Sequence, residues 1–174
     1  MPTDRDRLHD LFVTGLRNAH AVEKQAQSIM TPQIARLDHY PDVADRLRRH
    51  VEEPEGQIER LDDLLASLDT SGSLLKDTAL SMTGGMAAMS PSLAGDEILK
   101  NSFANFTFEH FEIASYKALL VLAEDGGFAP AMTPLRQTLD EEMSMARWTD
   151  AALPAVMRRY AALYAEDGSL HAKV

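Results

Sequence analysis

Glu23, Glu109, Glu112 and Glu142 each recur in helical register with apolar residues, where a carboxylate either does chemistry or costs stability. In ILKNSFANFTFEHFEIASYKALLVLA, residues 98–123, a projection at about 100° per residue puts Ile98, Asn105, Glu109, Glu112, Ile113, Tyr116, Leu120 and Ala123 on one stripe. Glu109 lies near its middle. The same projection aligns Glu23 with Phe12, Leu16, Ala19, Ala26, Met30 and Leu37, and Glu142 with Leu135, Thr138, Ala146, Thr149 and Leu153. The segment HVEEPEGQ adds His50 and Gln57 near an apolar stripe, with Glu53 one turn from both at its edge. Pro54 leaves the phase open there, so either the histidine or the acid reaches inward.

Such a cluster needs positive charge or protons, and no Lys or Arg lies on these inward stripes. A divalent cation is the natural counter-ion. Hard oxygen donors with one imidazole suit iron or manganese better than zinc or copper, and the absence of cysteine excludes thiolate ligation. The candidate ligands are therefore Glu23, His50, Glu53, Glu109, Glu112 and Glu142, holding two divalent ions. A redox-active pair would act on dioxygen or peroxide. The alternative is a metal-free helical interaction module whose acids are protonated or hydrogen-bonded. Gln57 reads as a core hydrogen-bonder, Glu141, Glu52 and Glu55 as solvated charges, and His20 as a group behind the ligands. Tyr116 and Trp148 read as core or interface residues.

The elements that must position these residues are helical. Leu8, Phe12, Leu16, Ala19, Ala26, Met30, Ile34 and Leu37 predict a first helix over about Asp6 to Asp38, interrupted at Pro32. Val43, Leu47, Val51, Ile58, Leu61, Leu65 and Leu68 predict a second from Pro41 to about Leu68, interrupted at Pro54. A Ser-, Gly- and Met-rich crossover follows, with a short helix around Leu74 to Met82; Met82, Met86 and Met89 there read as packing a loop onto the bundle. A third helix ends at Asp125-Gly126-Gly127, and a fourth runs from near Ala131 or Pro134 to Leu153. Pro154 then opens a short C-terminal fifth helix. Short turns near His39-Tyr40 and Asp125-Gly127 make two antiparallel hairpins, and the long link between them gives an all-α, ferritin-like four-helix bundle.

The 174 residues suit a single domain, 45% hydrophobic and 25% charged, large enough to bury a core. No apolar run reaches the roughly 18 residues of a membrane span, and the start MPTDRDRLHDLF has no apolar signal region, so a cytoplasmic protein is expected. A formal net charge of -10 disfavours nucleic acid and favours cations.

The segments LHDLF, AVEKQ, HVEEPEGQIERL, FEHFEIASYKAL and TLDEE, in this order, resemble those of the YciF/YciE-like bacterial proteins, a ferritin-like group linked to stress responses. The resemblance runs from about Leu8 to Thr149 and implies a ferritin-like bundle, a homodimer and a dimetal centre. It carries the family's acids onto Glu23, His50 with Glu53, Glu109 with Glu112, and Glu141 with Glu142. The chain departs from that pattern at Thr14-Gly15, His20 and Pro54. The positions three after Glu53 and Glu142 hold Gly56 and Met145 where dimetal bundles commonly place histidine, so this centre is carboxylate-rich and imidazole-poor.

Overall fold

A computed structural model describes residues 3–68 and 96–167. The chain forms α1 (Asp4–Ile34), α2 (Pro41–His50), α3 (Glu53–Ser67), α4 (Glu97–Asp125) and α5 (Met132–Asp167), with a 3-10 turn at Ala129–Ala131 and no strand among the described residues. Thr3 starts α1 with reciprocal bonds to Asp6 that satisfy two otherwise orphaned N–H groups.

Side-chain contacts fix the directions. Tyr116 meets Glu23 and Asn105 meets Gln33, so α4 runs antiparallel to α1. Gln57 meets Glu142 and Arg60 meets Thr138, so α3 runs antiparallel to α5. His20 and Asp62 join α1 to α3. With α4 and α5 packed along each other, α1 faces α3 and α4 while α5 faces α4 and α3. It follows that α3 and α4 are parallel, and that α3 ends and α4 begins at opposite ends of the bundle. This is the ferritin-like topology expected from the long crossover. The crossover itself, with the short helix expected at Leu74 to Met82 and Met82, Met86 and Met89, lies outside the described residues.

The core divides in two. At one end Phe12, Leu16, Leu61, Leu65, Tyr116, Leu119 and Leu135 pack together, and at the other Val22, Met30, Leu37, Leu47, Ile98, Phe108, Met145 and Val156 do so. Between the two clusters each helical column carries a buried polar group: Glu23 on α1, His50 and Gln57 flanking the α2/α3 junction, Glu109 and Glu112 on α4, and Glu142 on α5.

The prolines act differently from the expectations. Helix α1 stops at Ile34 rather than Asp38, because turns through Ala35 to Tyr40, with Arg36 N–H bonded to the Gln33 carbonyl at 2.9 Å and Tyr40 N–H to that of Leu37 at 3.0 Å, bring Pro41 to the start of α2. The expected second helix is two helices. Pro54 has no N–H for the His50 carbonyl, so the ladder closes at Val51 and restarts in α3. Beyond Leu153 the C-terminal segment is helical as expected, but it continues directly from the fourth helix through Pro154. Burial of Val156 and packing of Tyr160 and Leu163 on the second cluster oppose the roughly 3 kcal/mol that an interior proline costs.

The α4–α5 turn is tightly specified. Gly127 holds φ +72°, and Phe128 folds back to stack on Phe12 with ring centroids 4.7 Å apart. A Cβ on Gly126 would fall 2.9 Å from the Leu122 carbonyl oxygen and closer still to the Phe128 ring. Gly126→Ala is expected to destabilise the fold by about 1–3 kcal/mol, read as a lowered urea midpoint at unchanged slope.

Candidate functional site

His50 reaches the interior because α2 ends on it. The Val51 N–H closes the last turn on the Leu47 carbonyl at 2.9 Å, and the imidazole is left pointing between α4 and α5. One ring nitrogen, Nδ1, lies 2.7 Å from Glu53 Oε2 on the next turn. The other, Nε2, lies 3.2 Å from Glu109 Oε1, within reach of its charge but out of line for a hydrogen bond. Donor atoms of His50, Glu109 and Glu142 lie within 4.8 Å of one another, and all three residues are buried.

Around this trio the remaining acids divide by partner. Tyr116 donates to Glu23 at 2.5 Å. Gln57 donates to Glu142, and also to Glu141 at 3.1 Å. Glu141, expected as a solvated charge, is partly buried and paired with Arg60, whose Nε also reaches Thr138 Oγ1 at 3.0 Å. Glu53 sits at the rim between His50 and Arg46 Nη1, the latter 3.4 Å away. Glu112 is fully enclosed beside Glu109 and Glu142. His20 turns to Asp62, 3.1 Å from its Nε2. Both oxygens of Glu109, both of Glu112 and Oε2 of Glu142 are buried without a hydrogen-bond donor. Hydrogen bonds to buried polar atoms are the rule, so five such carboxylate oxygens in one layer call for either protons shared between the acids or a cation from outside the chain.

The electrostatics follow from crowding. Burial raises Glu112 well above the usual carboxylate range, and the charges of Glu142, Glu23 and Glu109 push the same way. Glu142 is raised well above that range by burial, then by Glu23 and Glu109, with His50 opposing. Burial lifts Glu23 to about 7, although the Tyr116 hydrogen bond works against it. Burial disfavours the His50 imidazolium, but the carboxylates of Glu109 and Glu53 outweigh it and raise the ring to about 10. For Glu53 the desolvation is outweighed by His50 and Arg46, and its carboxyl is lowered. Without an ion, then, protons on Glu112 and Glu142 and the charge on His50 keep the layer near balance.

Three of the residues that complete this layer carried weak signals in the sequence. Gln57 was legible as a core hydrogen-bonder, but its choice of Glu142 was not. Tyr116 was placed in the core without its role toward Glu23. Arg60 gave no sign of its contact with Glu141, since a flanking arginine on a helix looks solvated.

A helical bundle with two hairpins, a long crossover and a carboxylate layer between two apolar clusters is a protein of the ferritin-like class. The chain belongs to the DUF892 family, a domain of unknown function, which it matches over residues 7–162. It is 28% identical over 160 residues to protein YciF of Escherichia coli (strain K12), covering 87% of this chain and 94% of YciF. The crystal structure of the E. coli stress protein YciF superposes with a TM-score of 0.72 at 27% identity, covering 91% of this chain and 99% of that one. A crystal structure from Xanthomonas campestris pv. campestris gives a TM-score of 0.74 at 28% identity, covering 88% and 96%. Among the described residues no helix is long and apolar enough to cross a membrane.

The shifts fix a sign for stability against pH. Glu23, Glu112 and Glu142 bind protons more tightly folded than unfolded, so each destabilises the fold as pH rises above the unfolded value of 4.5. His50 stabilises fully below its unfolded value of 6.5, and that contribution is lost as pH rises toward about 10. Chelator-treated protein is therefore expected to lose stability steadily from about pH 5 to pH 9 in urea titrations followed by circular dichroism, with Glu112→Gln flattening the slope. A metal-free stability that rises over this range would contradict the burial of these acids.

Proposed function

We propose that this protein is a dimetal-carboxylate protein in which the buried layer holds two divalent ions, iron or manganese. The observation that supports the reading is the set of five buried carboxylate oxygens with no hydrogen-bond donor, on three acids that converge with His50. Cations supply the positive charge that such oxygens lack, and their hardness matches an oxygen-rich site. His50, Glu109 and Glu142 would bind through atoms already gathered, with Glu112 and Glu23 completing the pair.

Bound iron or manganese would supply Lewis-acid and redox chemistry toward dioxygen or peroxide, in keeping with a role in stress response. The chain's own residues prepare for ions in identifiable ways. Glu53 accepts from His50 Nδ1 and so presents Nε2 to the layer, the usual arrangement behind a ligating histidine. Gln57 fixes one oxygen of Glu142 and leaves Oε2 bare, and Tyr116 fixes one oxygen of Glu23. To hold ions, Glu112, Glu142 and His50 would have to give up their protons, so affinity would rise with pH as the stability of the metal-free fold falls. The two apolar clusters above and below exclude water from the layer.

The alternative, a metal-free structural bundle, draws support from the same proton balance, because protonated acids and a charged His50 leave a tolerable interior. Metal analysis of protein purified without chelator separates the two. About two iron or manganese per chain are expected, against a scatter far below one that dialysis removes. The double variant Glu109→Ala, Glu142→Ala is expected to lose the metal and with it the metal-dependent stabilisation, which reaches about 2.7 kcal/mol at a hundredfold excess over Kd. A double variant of unchanged metal content and equal or greater stability would establish the structural reading.

Glu53→Ala tests the orienting role separately. Loss of a carboxylate behind a ligating histidine weakens metal affinity by about 10–100-fold while leaving the stoichiometry intact. A fall in stoichiometry would make Glu53 a ligand itself, measured by competition with a fluorescent chelator.

A further inference from the structure

About 15 Å of helix separates His50 from the other end of α2, where a cleft of about 560 Å³ opens between the α1–α2 turn and the C-terminal half of α5. Its walls are Tyr40, Val43, Trp148, Ala152, Ala155 and Arg159, with His39 and Asp42 at its edge. The volume is that of a small-molecule site, and the walls combine two aromatic side chains with small aliphatic ones, leaving slot-like space between the helices.

Two features give the cleft a charge preference, the start of α2 and Arg159. Tyr40 is the N-cap of α2 but offers no side-chain cap, and the first intrahelical bond is that of Ala44 N–H to the Tyr40 carbonyl. The Asp42 and Val43 N–H groups at this ten-residue helix's start therefore lack ladder partners. Arg159 is exposed at the cleft and forms no ion pair among the described residues. The Tyr40 side chain is buried in the wall, yet its hydroxyl has no hydrogen-bond partner. Asp42, in the first turn of α2, is the opposing charge; it and Arg159 are both exposed and screened alike, so the preference for an anion rests on Arg159 acting together with the free N–H groups.

We propose that this cleft binds a small planar organic anion, an aromatic carboxylate, with its ring against Trp148 and its carboxylate toward Arg159 and the start of α2. The proposal is independent of the metal layer, which lies at the far end of α2. A compact inorganic anion leaves the aromatic walls uncovered, and a neutral aromatic leaves Arg159 and the helix start unanswered.

Trp148 is the chain's sole tryptophan, so its fluorescence reports the cleft directly. The full-length protein is titrated with benzoate and 4-phenylbenzoate, with benzyl alcohol and inorganic phosphate as controls, with and without prior chelation. A saturable change with one site per chain is expected for the carboxylates, at least about tenfold stronger than for either control and insensitive to chelation. Arg159→Gln is expected to weaken binding about tenfold, as loss of a charge-assisted contact does. Ala155→Phe, at an exposed helical position lining the cleft, should fill the space and abolish binding with the fold intact by circular dichroism and Trp148 still the only tryptophan. No saturation at millimolar carboxylate, equal binding of benzyl alcohol or phosphate, or affinity unchanged in both variants would overturn the proposal. Binding lost on chelation would also overturn it, while leaving the metal reading in place.

Discussion

Negative side chains converge on one interior layer, and that layer must be neutralised before the bundle closes around it. Glu23, Glu109, Glu112 and Glu142 arrive from three helices, and among the described residues the only basic group wholly inside the layer is His50. Bringing ionised carboxylates together in a medium of low polarity costs far more than any single packing contact returns. The chain meets that cost with protons, with the His50 imidazolium and with donors from Gln57 and Tyr116. The same arrangement leaves oxygens toward the centre with no donors but the acids' own protons, and the proposed metal reading rests on that feature.

The surrounding architecture serves this constraint. Two apolar clusters, one above and one below the layer, supply the burial that holds four helical columns around a polar middle. Where the layer crosses the second column the helix is divided, and the division places His50 at the end of α2 and Glu53 and Gln57 at the start of α3. An unbroken helix would keep the Pro54 ring against the His50 carbonyl, so the proline and the exposed imidazole nitrogen belong to one local solution. A second polar layer lies nearer the α1–α2 turn, where Gln33 and Asn105 exchange hydrogen bonds and Arg36 holds the buried Glu97. Those four side chains satisfy one another, and Asn101 Oδ1 beside Glu97 is the one oxygen of that layer without a partner among the described residues, against five in the carboxylate layer.

The likeness to E. coli YciF extends over nearly the whole of both chains, so the fold is shared rather than a fragment of it. The buried layer of this chain is rich in acids relative to imidazoles. One histidine serves a layer with four buried glutamates, and histidine count and the groups behind it are the usual levers on redox behaviour. On the proposed reading the pairing of Glu53 with His50, and of Gln57 with Glu142, carries much of the tuning that a second histidine would provide elsewhere.

Local pattern was enough to determine that this chain is helical, that it folds as two hairpins around a long link, and that Glu23, Glu109, Glu112 and Glu142 face inward. Those properties depend on a 3.6-residue period and on glycine and proline chemistry, which act within a few turns of chain. Proline alone could not say whether a helix ends or runs on: Pro54 divides one and Pro154 does not, because Val156, Tyr160 and Leu163 find a core to pack against and the residues at Pro54 find a better use for the break. Partnership was beyond the sequence as well. That Tyr116 bonds Glu23, that Arg60 covers Glu141, and that Tyr40 and Arg159 wall a common cleft are facts about side chains 81 to 119 positions apart, and only tertiary packing brings such groups within the few ångströms over which hydrogen bonds and charges act.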